Sequence, residues 1–214
     1  NKTGQKRLNA LQKGLALMLI TDLSKIEHLF VIERIKIQAL VDEMNFGETG
    51  LVDPGSAPKV GRFLKAYYVV NGDINEGSIE ELGISSSVLD VPFENITDLE
   101  DAQGNLDQLF QLEKEILFGI IDELKITVSP EKKKELMKPL SYSSAALLAL
   151  FLGIDHSDKG EYAEAAKMYD RALVEDPDLQ IARDSLQELK DMGLSADEDV
   201  SRLEAEAEAP PAEG

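Results

Sequence analysis

GLALMLITDLSKIEHLFVIERIKIQALVDEMNFGETGLVDPGSAPKVGRFLKAYYVVNGD, residues 14–73, is the stretch that decides the fold. With Leu8 and Leu11 just upstream, Leu15, Met18, Leu19 and Ile20 recur mostly at spacings of three and four, the period of an amphipathic helix. Asn1-Lys2-Thr3-Gly4 offers capping side chains before it, and Leu23 and Ile26 carry the face to Lys25 or Ile26. Leu29-Phe30-Val31-Ile32 is a short apolar run flanked by charge and predicts a buried strand. Ile35, Ile37, Leu40, Val41 and Met44 return to helical spacing until Asn45 and Gly47. Residues 47–58 read as turns, sharpest at Asp53-Pro54-Gly55. A helix is predicted over Ala57 to Lys65 with Val60, Phe63 and Leu64 inward. Tyr67-Tyr68-Val69-Val70 then predicts a strand ended by Asn71-Gly72-Asp73.

Downstream, extended segments are expected around Ser78–Val91 and Glu94–Gln103, with a turn at Gln103-Gly104-Asn105. From Asn105 the helical period resumes through Leu106, Leu109, Leu112, Ile116, Leu117, Ile120 and Ile121. Ser129-Pro130-Glu131 opens a basic helix to Lys138, ended by Pro139. This order predicts an α/β (α+β) sandwich over residues 1–139, with a mostly antiparallel sheet and packed helices. Residues 140–194 read as all-α: helices over Ser141–Asp158, Glu161–Val174 and Asp178–Met192, jointed at Gly160 and Pro177. After Ser195 the composition collapses to Ala, Glu and Pro, and residues 195–214 are expected to be an acidic flexible tail.

Four co-ordered motifs in the opening stretch resemble the CsgG (curli secretion and assembly) family: Thr21-Asp22-Leu23, Val31-Ile32-Glu33-Arg34, Gly50-Leu51-Val52-Asp53 and Ala66-Tyr67-Tyr68-Val69-Val70-Asn71-Gly72. The resemblance implies the fold, an envelope setting in a Gram-negative bacterium and participation in protein assemblies. In that family a hydrophobic strand precedes an Asn-x-Thr-Gly segment, here Asn1-Lys2-Thr3-Gly4. The expectation is that this strand has been trimmed away or that a neighbouring molecule covers the sheet edge. Pore-forming members carry membrane hairpins of alternating apolar residues. The corresponding region here holds Asn95, Asp98, Glu100, Asp101 and Gln103, which would be costly against lipid, so pore formation is not expected.

A second resemblance runs from Ala146 to Pro177, to one tetratricopeptide repeat (TPR). Leu152-Gly153, Gly160, Tyr162, Ala165, Tyr169, Ala172 and Pro177 carry it, with departures at Ala149 and His156. Small residues at Ala165 and Ala172 let the two helices approach closely. A lone repeat leaves apolar surface to cover. The helix Asp178–Met192 is the natural cap on one side. On the other, Leu147, Leu150 and Ile154 lie where such repeats take ligands, and two readings stand: a groove for a partner helix or peptide, or packing against the α/β domain.

Composition narrows the function. The net charge of -19 is spread unevenly: +4 over residues 1–40, -6 over 195–214 and -17 between them. Such a surface repels phosphate backbones, so nucleic acid is not an expected partner, and anionic lipid is disfavoured. No apolar run is long enough to span a bilayer as a helix. Cysteine is absent, which removes disulfides, thiolate metal sites and a cysteine nucleophile. His28 and His156, the two histidines, are far apart and form no metal-binding pair. The acidic run Asp98–Gly104 fails as a calcium loop, because its sixth and twelfth positions are Gln103 and Leu109. Phosphate loops, dinucleotide fingerprints and serine elbows are missing too. Glu33-Arg34 is the charged pair to watch, either as a structural ion pair at a strand end or as a binding element.

No cofactor, metal or catalytic residue is therefore expected. The function predicted is a non-enzymatic protein-interaction or scaffold component of an envelope secretion or assembly system, in the periplasm or on the periplasmic face of the outer membrane. Its protein partner would be held by the helical hairpin. A self-assembling ring or fibre subunit, hence a homo-oligomer, and a small-molecule-binding domain remain the alternatives.

Overall fold

Asn1, Thr3 and Gln5 make the entry to the first helix in the computed structural model, which describes residues 1–5, 7–32, 57–78 and 81–195. Asn1 Oδ1 accepts from the Thr3 amide at 3.1 Å and from the Thr3 hydroxyl at 2.7 Å, and Thr3 Oγ1 in turn accepts from the Gln5 amide at 3.1 Å. Short side-chain oxygens thus hold a turn that leads into α1, Arg7–Leu23. The Lys2 amide donates to the Ile74 carbonyl at 2.9 Å, and the Lys2 ammonium lies 2.7 Å from Asp73. The same five residues therefore start a helix and brace a strand.

The chain divides into two compact units, Asn1–Pro139 and Leu140–Gly214. The first contains an antiparallel sheet of β1 (Tyr68–Ser78), β2 (Glu81–Asp90), β3 (Asn95–Asp98) and β4 (Ala102–Gly104). β2 is central. β1 flanks it on one side, while β3 and β4 follow one another along its other side, with Leu99 to Asp101 interrupting them. α2 (Ala57–Leu64) precedes β1, and α3 (Leu109–Glu123) and α4 (Pro130–Leu136) follow β4.

Side-chain alternation assigns the two faces of the sheet. Leu82, Ile84 and Val88 of β2 share a face with Ala102, and all four are buried. A Cβ on Gly104, opposite Leu82, would lie 3.1 Å from Leu112, so α3 covers this face, and Asp22 ion-pairs with Lys114 to hold α1 against α3. On the opposite face Val69 packs with Leu89 and Val91, and α2 sits over them. The rest of that face is polar: Asn71 pairs with Ser87, Asp73 with Ser85, and Asn75 hydrogen-bonds the Ser85 hydroxyl.

Four sequence expectations change. Leu29–Ile32 is not a strand, and Phe30 is 96% exposed. A fully buried strand needs neighbours on both edges, and among the described residues this segment pairs with none. Asn71-Gly72-Asp73 does not end β1, which pairs with β2 as far as Ser78 through a bulge between Ile74 and Glu76. Gln103-Gly104 is strand, and Asn105 instead caps the following helical turn through a reciprocal box with Gln108. Phe63 points outward, because Gly61 is the α2 residue pressed against the sheet: a Cβ there would come within 2.6 Å of Val91 and 3.0 Å of Val69. The second helix expected over residues 35–44 and the Gly50–Asp53 turn lie outside the described residues, as does the acidic segment from residue 196.

The second unit contains α5 (Ser144–Asp158), α6 (Tyr162–Glu175) and α7 (Gln180–Asp191). Ser143 caps α5 by accepting from the Ala146 amide at 3.1 Å. α5 lies against α6, and α6 against α7. The chain as a whole is mixed α/β, with an antiparallel sheet and seven α-helices among the described residues.

Candidate functional site

The helical unit is built around the residues that its spacing singles out. Gly153 on α5 is buried against Tyr169 on α6, so closely that a Cβ would stand 2.4 Å from the ring. Ala165 and Ala172, one turn of ridge either side of Tyr169, are fully buried. The ring thus fills a notch made by one missing and two minimal side chains. Gly160 turns the chain in the left-handed region, φ 74°, where a side chain would be strained. Beside it His156 Nδ1 lies 2.6 Å from Glu161 across the turn. Leu152 is half-buried, whereas Tyr162 and Pro177 are exposed. The Pro177 carbonyl accepts from Arg183, and Asp176 accepts from the Ser141 hydroxyl and, at 3.0 Å, from the Asp178 amide. One carboxylate therefore links the approach to α5 with the corner before α7.

Leu147, Leu150 and Ile154 are 4%, 0% and 7% exposed, so the proposed partner face is not an open surface in the structure. What the helical unit does expose is scattered: Tyr142 before α5, Tyr162 at the start of α6, Val174 late in α6 and Met192 after α7. Glu33 and Arg34 lie outside the described residues. His28 sits on the surface with a positive φ of 67°, distant in the chain from His156.

In the α/β unit two features stand out. The first is the outer edge of β1. Among the described residues its one backbone bond outside the β1–β2 pairing is the one from Lys2 to Ile74, and Tyr67, Tyr68 and Val70 are exposed at its beginning. Next to it, a shallow depression of about 340 Å³ lies between Arg62, Lys65 and Tyr67 on one side and Val91, Pro92 and Glu94 on the other. Arg62 is already paired with Glu94 there, so the depression offers no set of converging polar groups.

The second feature is a buried charge cluster that sequence reading missed. Lys114 on α3 reaches Asp22 on α1, and lies 2.8 Å from Glu113 Oε2. Lys25 takes the other Asp22 oxygen at 2.5 Å. Asp22, Glu113 and Lys114 are all buried. Burial, only partly offset by Lys114, raises the Glu113 carboxyl to about 7. Spacing did carry a signal: Glu113 falls on the stripe of Leu109, Leu112, Ile116 and Ile120, where a carboxylate is out of place. Among the described residues no three His, Asp or Glu side chains gather as a metal site requires.

No curated protein and no solved structure matches the chain. Residues 1–77, which run from the Asn1 cap almost to the end of β1, match the family described as curli production assembly/transport component CsgG, and this part of the chain is CsgG-like.

Proposed function

We propose that the chain is a non-enzymatic scaffold of a bacterial envelope secretion or assembly system, working in the periplasm or on the periplasmic face of the outer membrane. The observation that carries this reading is the CsgG match over residues 1–77. The helical unit supports it: the Gly153–Tyr169 notch and the Ala165 and Ala172 contacts are the packing that a tetratricopeptide-like hairpin requires, and such hairpins hold protein partners. The partner would meet this unit at exposed positions rather than at Leu147, Leu150 and Ile154. None of the described helices is long and apolar enough to cross a membrane, which suits docking onto an envelope assembly.

Fractionation and in-cell cross-linking in a Gram-negative host test the proposal. A discrete protein adduct in the envelope fraction is the expected result. Recovery as a cytosolic, adduct-free monomer would overturn it. The outer edge of β1 favours one second reading, a self-assembling subunit. Light scattering of the purified chain at two concentrations separates the two, because a subunit's mass rises with concentration and a scaffold's does not.

A further inference from the structure

Glu113 has no role in the scaffold reading, yet it occupies an unusual place. It is 0% exposed, and among the described residues neither of its carboxylate oxygens has a hydrogen-bond partner. Lys114 Nζ is 2.8 Å from Oε2 but off the hydrogen-bonding line, because it is directed at Asp22. Two carboxylates on two helices therefore compete for one buried ammonium. Asp22 is bonded directly by a second cation, Lys25, which acts on Glu113 only through space.

Among the described residues, the charged groups that face Glu113 are Lys114 on its own helix, Asp22 at the end of α1 and Lys25 just beyond it. The neighbouring strands add no relief. β4 is Ala102-Gln103-Gly104, and the charged residues of β2, Glu81 and Asp90, are at its two ends. An ionised Glu113 is thus a buried anion that shares its nearest cation with Asp22, an arrangement that burial penalises. A protonated Glu113 leaves Lys114 wholly to Asp22 and keeps the ion pair between α1 and α3 at full strength.

We infer that Glu113 is a proton-operated latch between the C-terminal end of α1 and α3, closed when its carboxyl carries a proton and loosened when it ionises. The sign follows from the direction of the shift. The ordinary value is 4.5 and burial raises it to about 7, so the closed contact holds its proton more tightly than the open one. The latch is at full strength below about 4.5, weakens as pH rises towards 7 and has lost its proton-linked part above that. Across the window, one pH step changes the opening equilibrium by up to about tenfold. The last turn of α1 leads into Leu23–Ile32, so it is this segment whose anchorage the proton controls.

Hydrogen exchange of the full chain from pH 4 to pH 9, corrected for intrinsic rates, reads the latch at the last turn of α1 and the first two turns of α3. The expected result is opening that increases up to pH 7 and is flat beyond it. Glu113→Gln removes the pH dependence. Asp22→Asn weakens the contact overall but brings the upper end of the window to lower pH, because Lys114 then serves Glu113 alone. That direction keeps the proposal testable should Glu113→Gln fail to fold. Corrected exchange that is flat with pH in the wild type, or a window that Asp22→Asn leaves in place, would overturn the inference.

Discussion

Gly153→Ala is the substitution that most directly tests the packing of the helical unit. Glycine to alanine inside a helix ordinarily stabilises, by about 1 kcal/mol. Here the new methyl would lie 2.4 Å from Tyr169 Cε1 and 2.5 Å from Cδ1, against an ordinary contact distance of about 3.5–4 Å. The ring is 4% exposed and held between Ala165 and Ala172, so it cannot swing into solvent. Relief requires α5 and α6 to separate by about an ångström. Overpacking of this kind costs about 1–3 kcal/mol, and after the propensity gain the expected net loss is about 0–2 kcal/mol. At about 2–4 °C per kcal/mol for a chain of this size, Tm should fall by up to about 8 °C. Denaturant unfolding of Gly153→Ala, Tyr169→Leu and the double variant completes the test. The double variant should be more stable than the sum of the single losses, by about 1 kcal/mol, because removing the ring removes the clash. A rise in Tm for Gly153→Ala, or strict additivity in the cycle, would refute the close approach and with it the tetratricopeptide-like reading.

Three more outcomes follow from the same kind of argument. Gly61→Ala should destabilise by about 1–2 kcal/mol, because its methyl would meet the stiff side chains of Val91 and Val69; chemical denaturation measures this. Ser143→Ala should lose about 1 kcal/mol as the Ala146 amide loses its cap, whereas Ser143→Asp should retain most of it; paired thermal melts compare them. Phe151→Ala empties a fully buried site on α5 and should lose about 3–5 kcal/mol, with circular dichroism reporting early melting of helix.

Local chemistry accounts for what the sequence made legible. The aromatic and β-branched run Tyr67–Val70 announced β1, and periodic leucines and isoleucines announced α1, α3 and α5. Where pairing decides, composition misled. Residues 71–78 contain two Gly, two Asn, an Asp and a Glu, yet they are strand because β2 offers them a full ladder. Leu29–Ile32 has strand composition and no strand beside it among the described residues. The helix inner face at Phe63 failed for a related reason: Gly61 permits an approach of backbone to sheet that no count of apolar residues reveals. In the helical unit the small–large–small spacing was legible because those contacts are local, between neighbouring helices. The cluster of Asp22, Glu113 and Lys114 joins positions about ninety residues apart, and only the misplaced charge on an apolar stripe betrayed it.

The two margins of the sheet are unlike, and the difference limits how copies could join. Along one margin β3 and β4 offer four and three residues, broken by Leu99 to Asp101, too short to template a further strand. The other is β1, eleven residues long and, among the described residues, with one backbone bond from Lys2. Along the described margins, strand pairing with another chain could therefore use β1 but not β3 or β4, and any contact made at the β3–β4 margin would have to rest on side chains.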